Sequence, residues 1–262
     1  MQGKNLIWLV LLVMMAGCDS QNAQAPATAN TDANTQVHWK TLDALVQAAE
    51  KGNPDAQLQL GEQFIRSQPS EKDYQQASLW FDKAHAKGNA RAGFNLALLY
   101  LSGKGVSQDY TKASDLLEDA VKSGLFKANR YLGMIQQQGL GVPVNYAKAY
   151  DYYQVAAQAG DISAAESLGK IFEQGQGREK DIGQAMHWYL QAAKTPKESA
   201  INPYPRIYAI VRLGYFYEHG IGVSKDSQQA KAWYKAAVSD NRPQDSVYVE
   251  EAKAALKRLA QG

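Results

Sequence analysis

The stretch at residues 101–113, LSGKGVSQDYTKA, recurs three more times along the chain. The later copies read QQGLGVPVNYAKA, EQGQGREKDIGQA and EHGIGVSKDSQQA. Each copy has two glycines separated by one residue, at 103/105, 139/141, 175/177 and 220/222. The first three pairs are 36 residues apart, and the fourth follows after 45, one period plus nine residues. A fixed period of this length indicates an array of structural repeats.

The glycine pairs do not form a phosphate-binding loop. Such a loop needs two glycines five positions apart, followed directly by Lys and Ser or Thr. In the first stretch the glycines at 103 and 105 are two positions apart, and Lys104 lies between them. We therefore predict that the glycines are turn residues, because glycine adopts positive φ angles at little cost.

The residues around each pair predict two helices. A small residue, a leucine four positions later and then Gly or Ala recur at Ala56/Leu60/Gly61, Ala92/Leu96/Ala97, Ala128/Leu132/Gly133, Ala164/Leu168/Gly169 and Ala209/Leu213/Gly214. Short polar residues suited to the capping region of a second helix recur at Asp73, Asp109, Asn145, Asp181 and Asp226. Small residues let helices approach, and aromatic pairs such as Trp188-Tyr189 fill the space between neighbours.

Two segments carry a family resemblance. AGFNLALLYLSGKGVSQDYTKASDLLEDAVKSG and AIVRLGYFYEHGIGVSKDSQQAKAWYKAA resemble Sel1-like repeats, the 36-residue relatives of tetratricopeptide repeats. The resemblance implies an all-α fold, a right-handed α-solenoid of five helix-turn-helix repeats. The chain departs from the family pattern at Ser67, Pro69, Ala97 and Arg178.

The same alignment predicts how the chain is divided. The five copies are expected at 53–88, 89–124, 125–160, 161–205 and 206–241, and the segment KTPKESAINPYP lengthens the link between the last two. Residues 38–52 and 242–262 are expected to form capping helices, because end repeats must present a polar outer face.

The first residues resemble the signal of a bacterial lipoprotein. A charged start and a short apolar run precede Met15-Ala16-Gly17-Cys18, which resembles a lipobox. We expect a signal peptide at 1–17, lipidation of Cys18 and a disordered tether over 18–37. Asp19 resembles the signal that retains lipoproteins in the inner membrane. The expected location is therefore the periplasmic face of the envelope, with the inner membrane favoured over the outer membrane.

Composition and motifs argue against several functions. Lys and Arg total 28 against 26 Asp and Glu, so the chain lacks the basic excess of a nucleic-acid-binding protein. SLGK (Ser167, Lys170) and SDN (Ser239 to Asn241) resemble two elements of serine β-lactamases, but the third, KTG, is missing. The four histidines lack metal-ligand spacing. We expect no catalysis, cofactor, metal or small-molecule substrate.

Helical periodicity defines a candidate binding surface. In tetratricopeptide-like arrays the first helices line the concave groove, and the positions opposite the buried stripe gain large residues in the later copies. The candidate partner-binding residues are Leu98, Tyr131, Met134, Lys170, Tyr208, Arg212, Tyr215 and His219. Leu98, Met134 and Tyr215 have an alternative interpretation as packing under a neighbouring repeat.

The resemblance implies a membrane-anchored scaffold or adaptor that binds a protein partner. Two alternatives stay open at this point. One is an immunity protein that neutralises a delivered toxin such as a phospholipase, a role that some Sel1-repeat lipoproteins resemble. The other, from a different class, is an enzyme that processes the cell wall or β-lactams.

Overall fold

The computed structural model describes residues 41–195, 206–239 and 246–261, which form twelve α-helices and no strand. The helices are α1 (Leu42–Glu50), α2 (Pro54–Phe64), α3 (Glu71–His85), α4 (Ala90–Ser102), α5 (Tyr110–Lys122), α6 (Ala128–Gln138), α7 (Tyr146–Gln158), α8 (Ile162–Gln174), α9 (Ile182–Lys194), α10 (Ile207–His219), α11 (Ser227–Ser239) and α12 (Ser246–Gln261). Each helix packs against the next, and α10 also contacts α8 and α12. The prediction of an all-α repeat solenoid is confirmed.

The five predicted copies correspond to the helix pairs α2/α3, α4/α5, α6/α7, α8/α9 and α10/α11. First helices end at a glycine in the left-handed conformation in four of these pairs, at Gly103, Gly139, Gly175 and Gly220. Second helices then begin after Asp109, Asn145 and Asp181, whose side chains each accept a backbone N–H of the first turn. The Asp226 carboxylate accepts the N–H groups of Gln228 and Gln229 at the start of α11. Left-handed glycines and short polar caps therefore fix the turn between the helices of each pair.

The second glycine of each pair is required where consecutive copies meet. Gly105 has φ +71°, and a Cβ there would lie 2.5 Å from the backbone nitrogen of Gln75 in the preceding second helix. Its N–H donates to the Glu71 carboxylate at 2.9 Å. The stretch that superficially resembles a phosphate loop is thus a contact between copies one and two.

Copy one makes its turn without the glycines. Gln68 adopts φ +44° between Ser67 and Pro69. Ser70 accepts the N–H of Asp73, and the Asp73 carboxylate accepts the N–H of Ser70 at 2.8 Å, which forms a capping box. Asp73 therefore lies in the capping region, as predicted, but Ser70 is the residue at the N-cap.

The buried residues form five clusters along the array, and a helix closes the array at each end. In α1, Leu45 and Ala49 are buried in one cluster with Leu60 and Trp80. In α12, Val249, Ala252 and Ala255 are buried against residues of α10 and α11. Both helices lie within the segments predicted as capping helices.

Several predicted features lie outside the described residues. These are the signal peptide at 1–17, the tether at 18–37 with Cys18 and Asp19, and residues 196–205 of the insertion. Among the helices that the structure does describe, none has both the length and the apolarity needed to cross a membrane.

Candidate protein-interaction face

The eight predicted partner-binding residues all belong to first helices. Their side chains follow the sequence register: seven are half-buried, and His219 at the end of α10 is exposed. We call this surface the first-helix face, defined by Leu98, Tyr131, Met134, Lys170, Tyr208, Arg212, Tyr215 and His219. In the structure, side-chain contacts connect the residues of copies four and five, whereas those of the earlier copies are more involved in packing.

Residues of copies four and five form one connected cluster. The Nζ of Lys170 in α8 lies 4.1 Å from the centre of the Tyr208 ring in α10. The Tyr208 ring also contacts Tyr189 and Tyr248 edge to face, at centroid distances of 5.8 and 5.3 Å. Tyr248 belongs to α12 and was not predicted as part of the surface. The capping helix therefore extends the first-helix face beyond copy five.

Arg212 is joined to this cluster through Glu173, which also accepts the Tyr189 hydroxyl. Its guanidinium forms an ion pair with the Glu173 carboxylate of the preceding copy and lies 4.4 Å from the Tyr215 ring centre. The Tyr215 ring stacks on the His219 imidazole at 4.1 Å. Arg212 thus has an intramolecular role, whereas Tyr215 is half-buried and His219 is exposed.

The earlier copies contribute residues that are more involved in packing. Tyr131 contacts the Phe94 ring edge to face at 5.4 Å, and the Arg130 guanidinium lies 4.1 Å from the Tyr131 ring centre. Leu98 and Tyr131 both pack against the core between copies two and three. The alternative interpretation of Leu98 as a packing residue therefore describes much of its environment, while Met134 is half-buried on the same face.

A row of buried tyrosines supports this face from behind. The hydroxyls of Tyr153, Tyr189 and Tyr234 donate at 2.8 Å to side chains sixteen residues earlier, namely Gln137, Glu173 and Glu218. Burial raises the pKa of Tyr153 to about 12 and also raises the pKa values of Tyr189 and Tyr234. All three hydroxyls therefore stay protonated and act as donors at neutral pH.

The acceptors of this row also bind the next element of the array, which is the following copy for Gln137 and Glu173 and the capping helix α12 for Glu218. Gln137 donates to the Gln176 side chain at 2.9 Å, Glu173 pairs with Arg212, and Glu218 accepts Nε of Arg258 at 2.9 Å. These contacts were not predicted from the sequence. The sequence pattern that indicates them is a polar residue sixteen positions before a tyrosine in the last three copies. The first two copies have the apolar pairs Ile65/Phe81 and Leu101/Leu117 at these positions.

The residues that resembled catalytic motifs have structural partners. Ser167 Oγ donates to the Ser163 carbonyl one turn earlier, at 2.9 Å. Lys170 lies over Tyr208, and the Asp240 and Asn241 of the SDN motif are outside the described residues. Within the described ranges, no group of three or more His, Cys, Asp and Glu side chains is arranged to hold a metal ion.

The family model for the Sel1 repeat matches residues 54–89, 90–125, 127–161, 162–194 and 207–241, so that each match contains one helix pair. The chain belongs to the Sel1 repeat family. Sel1 repeats generally mediate protein–protein interactions, and Sel1 repeat proteins are generally non-catalytic scaffolds.

Solved structures similar to this Sel1 repeat protein include the following two. A protective antigen present in uropathogenic Escherichia coli strains, which displays an SLR fold, shares 31% identity over 80% of this chain with a TM-score of 0.68. The match covers 43% of that protein, so this chain spans less than half of its length. A Sel1 repeat protein from Oxalobacter formigenes shares 27% identity, with a TM-score of 0.65 and coverage of 85% of this chain and 89% of that one. No curated protein matches the chain.

Proposed function

We propose that this protein is a non-catalytic scaffold that binds a protein partner through the first-helix face of copies three to five. The observation that carries the proposal is a group of half-buried tyrosine rings at copy five, in which Tyr215 lies against Arg212 and Tyr208 contacts Tyr248. Tyr and Arg are the residue types most enriched at the energetic centres of protein interfaces. Copy one, by comparison, presents the polar side chains Asp55 and Glu62.

The proposal includes a membrane anchor. A lipid on Cys18 would hold the folded array at the periplasmic face of the envelope, and Asp19 would favour retention at the inner membrane. The support is the charged start, the apolar run and the Met15-Ala16-Gly17-Cys18 motif. At about 5–6 Å times the square root of its length, a tether over 18–37 would give the array a typical reach of about 22–27 Å.

The anchor is tested with Cys18→Ser. We expect the variant to remain an uncleaved precursor that incorporates no labelled fatty acid, while the wild type is labelled. Labelling of the variant would refute the anchor. Fractionation of the wild type with outer membranes would refute only the role of Asp19.

The binding site is tested by crosslinking in the native envelope, followed by affinity measurements with the captured partner. Tyr215→Ala should weaken binding about thirtyfold or more, since truncating a central anchor costs about 2 kcal/mol or more. The matched control is Tyr152→Ala, which removes a half-buried tyrosine from the second helix α7. Unchanged affinity of a folded Tyr215→Ala variant, or equal loss in both variants, would overturn the assignment.

The identity of the captured partner and a separate activity assay distinguish the other two candidate functions. An immunity protein would use the same kind of surface, and a captured toxin enzyme would identify that role. Turnover of a chromogenic β-lactam by the purified chain would contradict a non-catalytic scaffold.

A further inference from the structure

The arginines of the first helices are each neutralised by a carboxylate of an adjacent copy. Arg91 of copy two pairs with Glu62 of copy one at 3.1 Å. Arg130 of copy three pairs with Asp161 of copy four at 3.0 Å. The Arg212–Glu173 ion pair joins copies five and four in the same way. Each of these three arginines therefore has a carboxylate partner in a neighbouring copy.

Two lysines of the first helices and their caps have no such partner. Lys127 at the start of α6 lies 4.3 Å from the Phe94 ring centre, and Lys170 lies 4.1 Å from that of Tyr208. In the part of the chain that the structure describes, neither Nζ forms an ion pair with a carboxylate. Both side chains are half-buried, so each ammonium is held against a ring instead of moving freely in water.

The surroundings of Lys127 favour an added anion. Burial lowers the pKa of Lys127, and the nearby positive charges of Arg91 and Arg130 lower it further, although Glu62 acts in the opposite direction. A carboxylate placed at this ammonium would relieve repulsion that the fold leaves in place.

The carboxylates behind the face in copies four and five are already bound. Asp161 accepts both Arg130 and the N–H of Ala164. Glu173 accepts Arg212 and the Tyr189 hydroxyl, and Glu218 accepts Arg258 and the Tyr234 hydroxyl. These three carboxylates are thus bound within the fold, whereas Lys127 and Lys170 have no carboxylate partner among the described residues.

We infer that the partner segment on the first-helix face is acidic and places carboxylates at Lys127 and Lys170, beside the rings of Phe94 and Tyr208. This inference rests on the proposed function and adds the chemistry of the partner. An ammonium that lies over a ring can still donate to a carboxylate on its open side, so one cation serves both contacts. Complementary charge of this kind fixes the register of a bound segment and raises its association rate.

The test uses the full chain purified in non-ionic detergent and a display library of random dodecapeptides. Peptides are selected on the wild type and then measured against Lys127→Glu/Lys170→Glu. The matched control is Lys83→Glu/Lys112→Glu, which changes the net charge equally. Lys83 and Lys112 also lie over rings, 4.2 Å from Trp80 and 5.3 Å from Tyr100, but they belong to second helices.

We expect enriched peptides with an excess of Asp and Glu. Their affinity should fall about tenfold or more in Lys127→Glu/Lys170→Glu and remain within about twofold in the control. It should also fall as sodium chloride rises from about 0.05 to 0.5 M, because salt screens exposed charges. Circular dichroism checks that both double variants are folded.

Three outcomes would overturn the inference: neutral or basic enriched peptides, no enriched peptides, or equal loss in both double variants. Phosphatidylglycerol vesicles that bind the wild type but not Lys127→Glu/Lys170→Glu would assign the lysines to lipid headgroups instead. The proposed function and the acidic chemistry of the partner can be refuted independently of each other. A captured partner that depends on Tyr215 but tolerates the lysine reversals would retain the binding face and refute only the acidic chemistry.

Discussion

Gly169→Ala in α8 is expected to destabilise copy four, although alanine is the better helix former. A Cβ at this position would lie 2.5 Å from Cδ1 and 2.8 Å from Cζ of the Tyr189 ring. Tyr189 is fully buried, and its hydroxyl donates to Glu173, so the ring has no free space into which it can turn. The new methyl group must therefore displace either the ring or the helix.

The expected size follows from two opposing effects. Replacing glycine by alanine inside a helix contributes about 1 kcal/mol of stability through backbone entropy. Overpacking a buried site costs about 1–3 kcal/mol, and contacts as short as these belong at the upper end of that range. The net expectation is a loss of about 1–2 kcal/mol. For a urea m-value of about 2 kcal/mol/M, the unfolding midpoint should fall by about 0.5–1 M.

Copy two provides the matched control. Ala97 stands where the other copies have glycine, and the residue equivalent to Tyr189 is the smaller Leu117, in the same buried cluster as Ala97. Ala97→Gly should therefore lose about 1 kcal/mol, since it removes helix propensity without relieving a clash. In the Tyr189→Leu background, Gly169→Ala should be neutral or stabilising. Equal or greater stability of Gly169→Ala in the wild-type background would refute the packing argument.

Two further predictions concern contacts between copies. In urea unfolding, Gly105→Ala should lower the free energy of unfolding by about 1 kcal/mol or more beyond the loss caused by Gly124→Ala. Both glycines have positive φ, but only the Cβ at 105 would meet backbone atoms. Equal losses in the two variants would contradict this. Burial acts to raise the pKa of Glu218, but the hydrogen bonds from Arg258 and Tyr234 outweigh it and hold the pKa below its usual value. Its stabilising effect is therefore present above the unfolded value of about 4.3 and is lost as the pH falls through the lowered value. Acidification from pH 7 to about 3 should lower the amide protection factors of α12, which are corrected for the pH dependence of intrinsic exchange, about tenfold or more in the wild type. Glu218→Gln should remove most of that loss, whereas Glu250→Gln, on the exposed side of α12, should not.

The repeat architecture was predictable because its signals are local and periodic. The glycine pairs required left-handed turns, and the residues at Asp109, Asn145 and Asp181 had to cap helices wherever those turns end. The glycine-to-alanine departure at residue 97 was visible in the sequence, but its reason was not. The structure gives the reason: residue 97 packs in one cluster with Leu117, whereas the equivalent glycines of the other copies lie against aromatic rings.

The candidate site was less predictable because its contacts join residues of different copies. Helical periodicity placed Tyr208, Arg212 and Tyr215 on a common surface, as the structure does. It could not show that Glu173 reaches Arg212 across 39 residues, since that distance depends on how successive pairs stack. Nor could it place Tyr248 of the capping helix beside Tyr208.

Arg212 links the stability of the array to its proposed binding face. Its side chain is 21% exposed, and it supports the Tyr215 ring while its guanidinium pairs with Glu173. Arg212→Ala therefore removes both a surface cation and the support of a tyrosine, and a weaker complex would not distinguish the two. Glu173→Gln removes the charge of the ion pair but keeps the Arg212 side chain and an acceptor for the Tyr189 hydroxyl. If Arg212 contacts the partner directly, Arg212→Ala should weaken binding about thirtyfold, and Glu173→Gln only a few-fold. Equal losses in folded variants would show that Arg212 acts by positioning Tyr215.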